Sequence, residues 1–145
     1  MPAPSLSAVK PVVSRVLRAR PEVRVGWVFG STATGRTRPT SDLDVAVLLS
    51  PRALRGDLLR YRLGLLADLT AALHLGSIDA VILNDAPPAL AQNVLRHGVV
   101  VAERSKTDRV RFQVRTLNRF VDTQPLRDQQ WAALTGRYAG GRRRG

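Results

Sequence analysis

The apolar residues of this chain recur with two periods and divide it into alternating helices and strands. Val9, Val12, Val13, Val16 and Leu17 share one helical face and predict a first helix within Ser7 to Ala19, with Pro11 in its first turn. VRVGWVF, Val23 to Phe29, is β-branched and aromatic, which predicts a strand ended by Gly30. After a loop, DLDVAVLLS predicts a second strand, polar at its start and apolar beyond. Ser50 and Pro51 read as the N-cap and first residue of a helix reaching to His74. Leu54, Leu58, Tyr61, Leu65, Leu69 and Leu73 stripe it, and Gly76 is expected to cap it. SIDAVIL predicts a third strand, PPALAQNVLRHG a short helix, and VVVAE a fourth strand. A last helix, Lys106 to Asp122, is expected to turn Val110, Val114, Leu117 and Val121 inward and its arginines outward. No element is assigned beyond Pro125.

This order predicts an α/β chain of the α+β kind: a small mixed sheet flanked by helices. The first loop can return the chain beside strand one, making strands one and two antiparallel. The long helix that follows is a crossover of the length that brings strand three parallel to strand two. Residues two apart on a strand share a face, so Asp42 and Asp44 project together. The crossover sets Asp79 at the same sheet end, beside the Gly30-Ser31 turn.

At 145 residues the chain is expected to be one domain with a real core. No cysteine is present, which excludes disulfides and thiolate metal sites. The first twenty residues interleave prolines and arginines where a secretory signal needs an apolar run, so a cytoplasmic location without membrane insertion is expected. The net charge is +12, and it is uneven: between Arg104 and Gly145 eleven Lys/Arg face three Asp. Such a surplus suits an anionic partner, whether nucleotide, nucleic acid or an acidic protein face. A solvated helix face and a frayed basic tail account for it equally well.

Asp42, Asp44 and Asp79 carry the chemistry. Clustered carboxylates raise one another's pKa unless a cation neutralises them, and oxygen ligands of this kind suit Mg²⁺. A pair of such ions can clamp an in-line displacement at phosphorus. Gly30 lets backbone approach a phosphate closely, and the Ser31 hydroxyl and amide can donate to it. The plainer alternatives are a solvent-exposed pair at Asp42 and Asp44, and a turn cap at Asp79. His74 and His97 fall at helix ends, where a cation suits the dipole, and Trp27 belongs to the core. No Gly-Lys-Ser/Thr follows the glycines, so a Walker loop is excluded.

Gly30-Ser31, ten residues, then Asp42-Leu43-Asp44, following a strand and leading into strand, helix and strand, resembles the signature of minimal nucleotidyltransferases of the DNA polymerase β-like superfamily. IDAVILNDAPPAL and LRHGVVVAE extend the resemblance, which spans residues 7 to 122 and is greatest towards MntA-type antitoxins. It implies a domain over residues 1–122 with a basic, partly disordered tail over 123–145. It implies that Gly30 and Ser31 hold phosphate, that Asp42 and Asp44 bind Mg²⁺, and that Asp79 is a third carboxylate activating the attacking hydroxyl. It also implies ATP as substrate and, as partner, a HEPN ribonuclease toxin whose tyrosine receives AMP within a hetero-oligomer. One departure stands out. Thr34 occupies the position of an arginine found in many relatives, for which Arg36 or Arg38 could compensate.

Two other function classes are open to such a chain. A nucleotidyltransferase acting on a small molecule or an RNA end generally carries a second domain for its acceptor. A non-catalytic antitoxin or nucleic-acid binder would use the basic charge alone, and isolated aspartates would oppose a nucleic-acid backbone unless metal bridged them.

Overall fold

The computed structural model describes residues 5–35 and 42–139, with side chains to 134. Helix α1 (Leu6–Arg18) leads into strand β1 (Val23–Phe29), a short helix α2 (Ser31–Thr34) and strand β2 (Leu43–Leu49). Helix α3 (Leu58–Leu73), strand β3 (Ile78–Ile82), helix α4 (Pro88–His97) and strand β4 (Val99–Glu103) follow, then helices α5 (Lys106–Asp122) and α6 (Gln124–Ala139). The sheet order is β3-β2-β1-β4. β1 is antiparallel to β2 and to β4, while β2 and β3 run parallel, as the crossover argument requires.

The two central strands are buried on both faces, which their near-continuous apolar composition dictates. Val45, Val47 and Leu49 pack under α1 and α3 with Val13, Leu17, Leu65 and Leu69. Trp27, Ala46 and Leu48 pack on the opposite face with Ala91 and Val94 of α4 and Phe112 of α5. Asp44 alternates onto this second face, at the end where β2 begins. Among the described residues no helix is long and apolar enough to cross a membrane.

Four expectations are corrected. Pro11 lies inside α1, not in its first turn, because the helix begins earlier, with the Ser5 hydroxyl accepting from the Ala8 amide at 3.3 Å. The Ser50-Pro51 start fails as well. The Ser50 amide is drawn to the Glu22 carbonyl at 2.8 Å, a single 3₁₀ turn over Ala53–Arg55 follows, and extended Gly56 ends it. Asp57 then caps α3, its carboxylate accepting from the Arg60 amide at 3.1 Å. At the other end of α3, His74 itself adopts the left-handed cap conformation, φ 55°, in place of Gly76.

The fourth concerns α5. Its bounds match the expectation, but Val110, Val114, Leu117 and Val121 are exposed, and Phe112 with Thr116 forms the buried face. Beyond Pro125, where no element was expected, the chain continues as the helix α6.

Candidate active site

The strand register assembles the site. Asp44 pairs with Phe29 on β1 and with Asp79 on β3, so the first two carboxylate-bearing strands place those groups side by side. Gly30 follows Phe29 directly, at φ 73° and ψ −151°, a conformation only glycine adopts without strain. A Cβ built on Gly30 would overlap Oδ2 of Asp44. The turn therefore presses its bare backbone against the central carboxylate. Gly35, at φ 74°, closes α2, and Thr34 turns its hydroxyl back onto the Gly30 and Ser31 carbonyls at 3.3 Å each. Thr34 is thus tied to its own turn and does not reach outward as an arginine would.

The three aspartates sit in different surroundings. Asp44 is half-buried, and burial raises its pKa, with the charges of Asp79 and then Asp42 adding to the shift. Asp42, one residue before β2, accepts from the Ser77 hydroxyl, while Leu43 amide to Ser77 carbonyl (3.1 Å) joins the same two segments. Asp79 accepts at one oxygen, Oδ1, from the Arg62 guanidinium at 2.8 Å and from the Ala80 amide at 2.9 Å. Arg62 is held in turn by its Nε donating to the Ala80 carbonyl at 2.7 Å.

Among the described residues no three acidic or imidazole groups converge tightly enough to enclose a metal. Arg62 is paired with Asp79, leaving Asp42 and Asp44 as the pair with no cation against it among the described residues. Ser31 stands on α2 beside this pair, whereas Arg36 and Arg38 lie outside the described residues. His74 and His97 end helices α3 and α4.

Arg62, Ser77 and Thr32 do not figure in the sequence reading. Arg62 had a legible signal: it is the one cation on the helical face shared by Leu58, Leu65, Leu66 and Leu69. Thr32 is 2% exposed, and its hydroxyl has no hydrogen-bond partner among the described residues. A buried donor left unpaired is uncommon, and here it sits in the turn that faces Asp44.

The polymerase beta nucleotidyltransferase family model matches residues 12–107. The chain belongs to this family. Its Gly-Ser turn and its β2 aspartates both fall inside the matched span. No sequence match is found among the curated proteins. Solved structures of similar fold include a toxin–antitoxin complex with AMP-PNP, 26% identical, TM-score 0.75, covering 87% of this chain and 98% of that one. The MntA–HepT toxin–antitoxin complex matches at 24% identity and TM-score 0.69, covering 87% of this chain and 96% of that one. A tri-AMPylated Shewanella oneidensis HEPN toxin in complex with its MNT antitoxin matches at 24% identity and TM-score 0.69, with coverages of 87% and 95%. The α+β architecture derived above is thus that of polymerase β-like nucleotidyltransferases.

Proposed function

We propose that this chain is an antitoxin that transfers AMP from ATP to a hydroxyl, that of a tyrosine, on a partner HEPN ribonuclease toxin. The observation that carries the reading is the juxtaposition of Gly30, Asp44 and Asp79: a bare phosphate-accepting turn on one side of a carboxylate and a second carboxylate on the other. The AMP-PNP bound in one complex of similar fold, and the AMPylated toxin in another, support nucleotide and product.

The residues present fit a divalent cation. Asp42 and Asp44 are hard oxygen donors on one strand face, where burial, with the charges of Asp79 and Asp42 adding to it, disfavours an ionised Asp44 that no cation balances. They would hold Mg²⁺, as two ions where Asp79 joins them, and the metal would offset charge building on the α-phosphate and the departing pyrophosphate. Ser31 donates to the triphosphate through hydroxyl and amide, with Arg36 or Arg38 as further cations, and the unpaired Thr32 hydroxyl is a donor in the same turn. Asp79, fixed through Oδ1 by Arg62, keeps Oδ2 for the acceptor hydroxyl. The acceptor oxygen bonds to the α-phosphorus as the bond to the bridging oxygen of pyrophosphate breaks. Its proton passes to Asp79, and the electron pair leaves with pyrophosphate.

Incubation with ATP, Mg²⁺ and a HEPN ribonuclease toxin as partner should add AMP to that protein, read as a mass increase on a tyrosine peptide. Asp44→Asn should abolish the addition. Silencing of the toxin by wild type and Asp44→Asn alike, without a mass change, would make inhibition by contact the correct account.

A further inference from the structure

The helix α5 exposes an apolar stripe that no described residue covers. Val110, Val114, Leu117 and Val121 are 40%, 55%, 49% and 59% exposed, and their spacing stacks them along one face. Leu126, Trp131 and Leu134 of α6 are 56%, 70% and 50% exposed. From Gln124 to Leu134 every residue of α6 except Arg127 is exposed. Arg111 flanks the stripe, and Arg115 and Arg119 turn progressively away from it round the exposed side of the helix. Arg111, Arg115 and Arg119 make no ion pair with any described carboxylate. Arg24, Arg111 and Arg115 also line a shallow cavity of about 550 Å³ beside Leu54 and Asn84.

The direction of α5 links this face to the catalytic end. The helix starts at the far end of β1, where Asp108 accepts from Arg24 at 2.7 Å. It runs the same way as α4: Gln92, Leu95 and Arg96 of α4 line one cavity with Gln113 and Leu117 of α5. α4 ends at His97, and Val99 just after it pairs with Val28, next to the Phe29–Asp44 pair. From Asp108 to Val121 the helix rises about 20 Å, against about 17 Å for β1 from Arg24 to Phe29. A helix on this course runs towards the sheet end that holds the aspartates.

We propose that the α5 stripe with its arginine rim, continued by α6, is the docking face for the partner protein, whose matching surface is an apolar helix edged with Asp and Glu. A second copy of this chain is a poor occupant, because it would bring a second Arg111 and an equally basic helix against this one. Nucleic acid is a poor occupant too, because the centre of the face is aliphatic and offers nothing to phosphate. The proposal rests on the AMP-transfer reading in one respect, that the docked partner carries the acceptor hydroxyl. Docking here would bring the partner to the catalytic end of the sheet.

The test compares the full-length chain with two double variants, Val114→Glu/Leu117→Glu and Arg111→Glu/Arg115→Glu. Binding to the HEPN toxin taken as partner is measured by sedimentation velocity, AMP transfer by mass spectrometry, and Mg²⁺-ATP affinity by calorimetry. Both variants should bind the partner at least about tenfold more weakly than wild type. Both should keep wild-type melting and nucleotide affinity. Undiminished partner binding by both variants overturns the proposal, as does failure of the wild type to bind the HEPN protein. Loss of self-association in place of partner binding also overturns it, and so does loss of binding to a single-stranded RNA alone. A wild type that binds through this face yet adds no AMP upholds the docking face and overturns the transfer reading.

Discussion

Gly30 has no room for a side chain, because Oδ2 of Asp44 fills the space its Cβ would take. Two demands meet at that residue: φ of 73°, and contact between turn backbone and carboxylate. Gly30→Val should cost about 1–3 kcal/mol from backbone conformation alone, with the overlap adding to it. It should lower Tm by several degrees and abolish transfer even at temperatures where the fold persists. A variant that melts lower but transfers at the wild-type rate would show the turn to be structural only. Ser31→Ala is the companion measurement, expected to weaken transfer while Tm stays within experimental scatter.

The raised pKa of Asp44 has a definite consequence for stability. Its folded-state pKa lies above its unfolded value, so the stabilising state is the protonated one. That contribution is complete below the ordinary carboxylate value of 3.8 and is lost as pH rises through the folded pKa. At neutral pH the ionised group therefore opposes folding. Asp44→Asn should raise Tm at pH 7 without metal, and the gain should shrink as the pH is lowered towards 4. Equal melting of wild type and variant across that range would contradict the electrostatic account.

Metal should reverse the order. Saturating Mg²⁺-ATP is expected to stabilise wild type but not Asp42→Asn/Asp44→Asn, and EDTA should abolish the difference. Calorimetric nucleotide affinity in wild type that is identical with and without Mg²⁺ would remove Asp42 and Asp44 as ligands.

Arg62→Ala separates stability from catalysis. The Arg62–Asp79 pair is about half exposed on both sides, so its loss should cost no more than about 1 kcal/mol. Asp79 would keep the Ala80 amide but lose the guanidinium at Oδ1, and the turnover number should fall while the KM for ATP holds. A change in KM alone would show that Arg62 serves nucleotide binding.

The sheet and the end at which its aspartates gather were legible because alternation and crossover length leave few topologies. Asp42, Asp44 and Asp79 reach one sheet end on those two rules. Periodicity told which residues of α5 share a face, but not whether the chain itself covers that face. Val114 and Leu117 have the spacing of a core stripe and lie in solvent, while Phe112 and Thr116 are buried. The start of α3 was misplaced for a different reason. Ser50 and Pro51 are good starting residues locally, yet the Ser50 amide is committed to Glu22 across the sheet edge, a partner no local pattern shows.

Strand β3 ends the sheet, and Ala80 presents its carbonyl on the side without a neighbouring strand. Arg62 Nε occupies that carbonyl, so the side chain that orients Asp79 also stoppers the rim of the sheet. Any event that pulls Arg62 away, whether a bound ion or a substitution, would uncap an acceptor to which a foreign β-strand could add. Colloidal behaviour and catalytic orientation are thereby joined in one guanidinium, and Arg62→Ala should self-associate at concentrations where the parent chain stays dispersed.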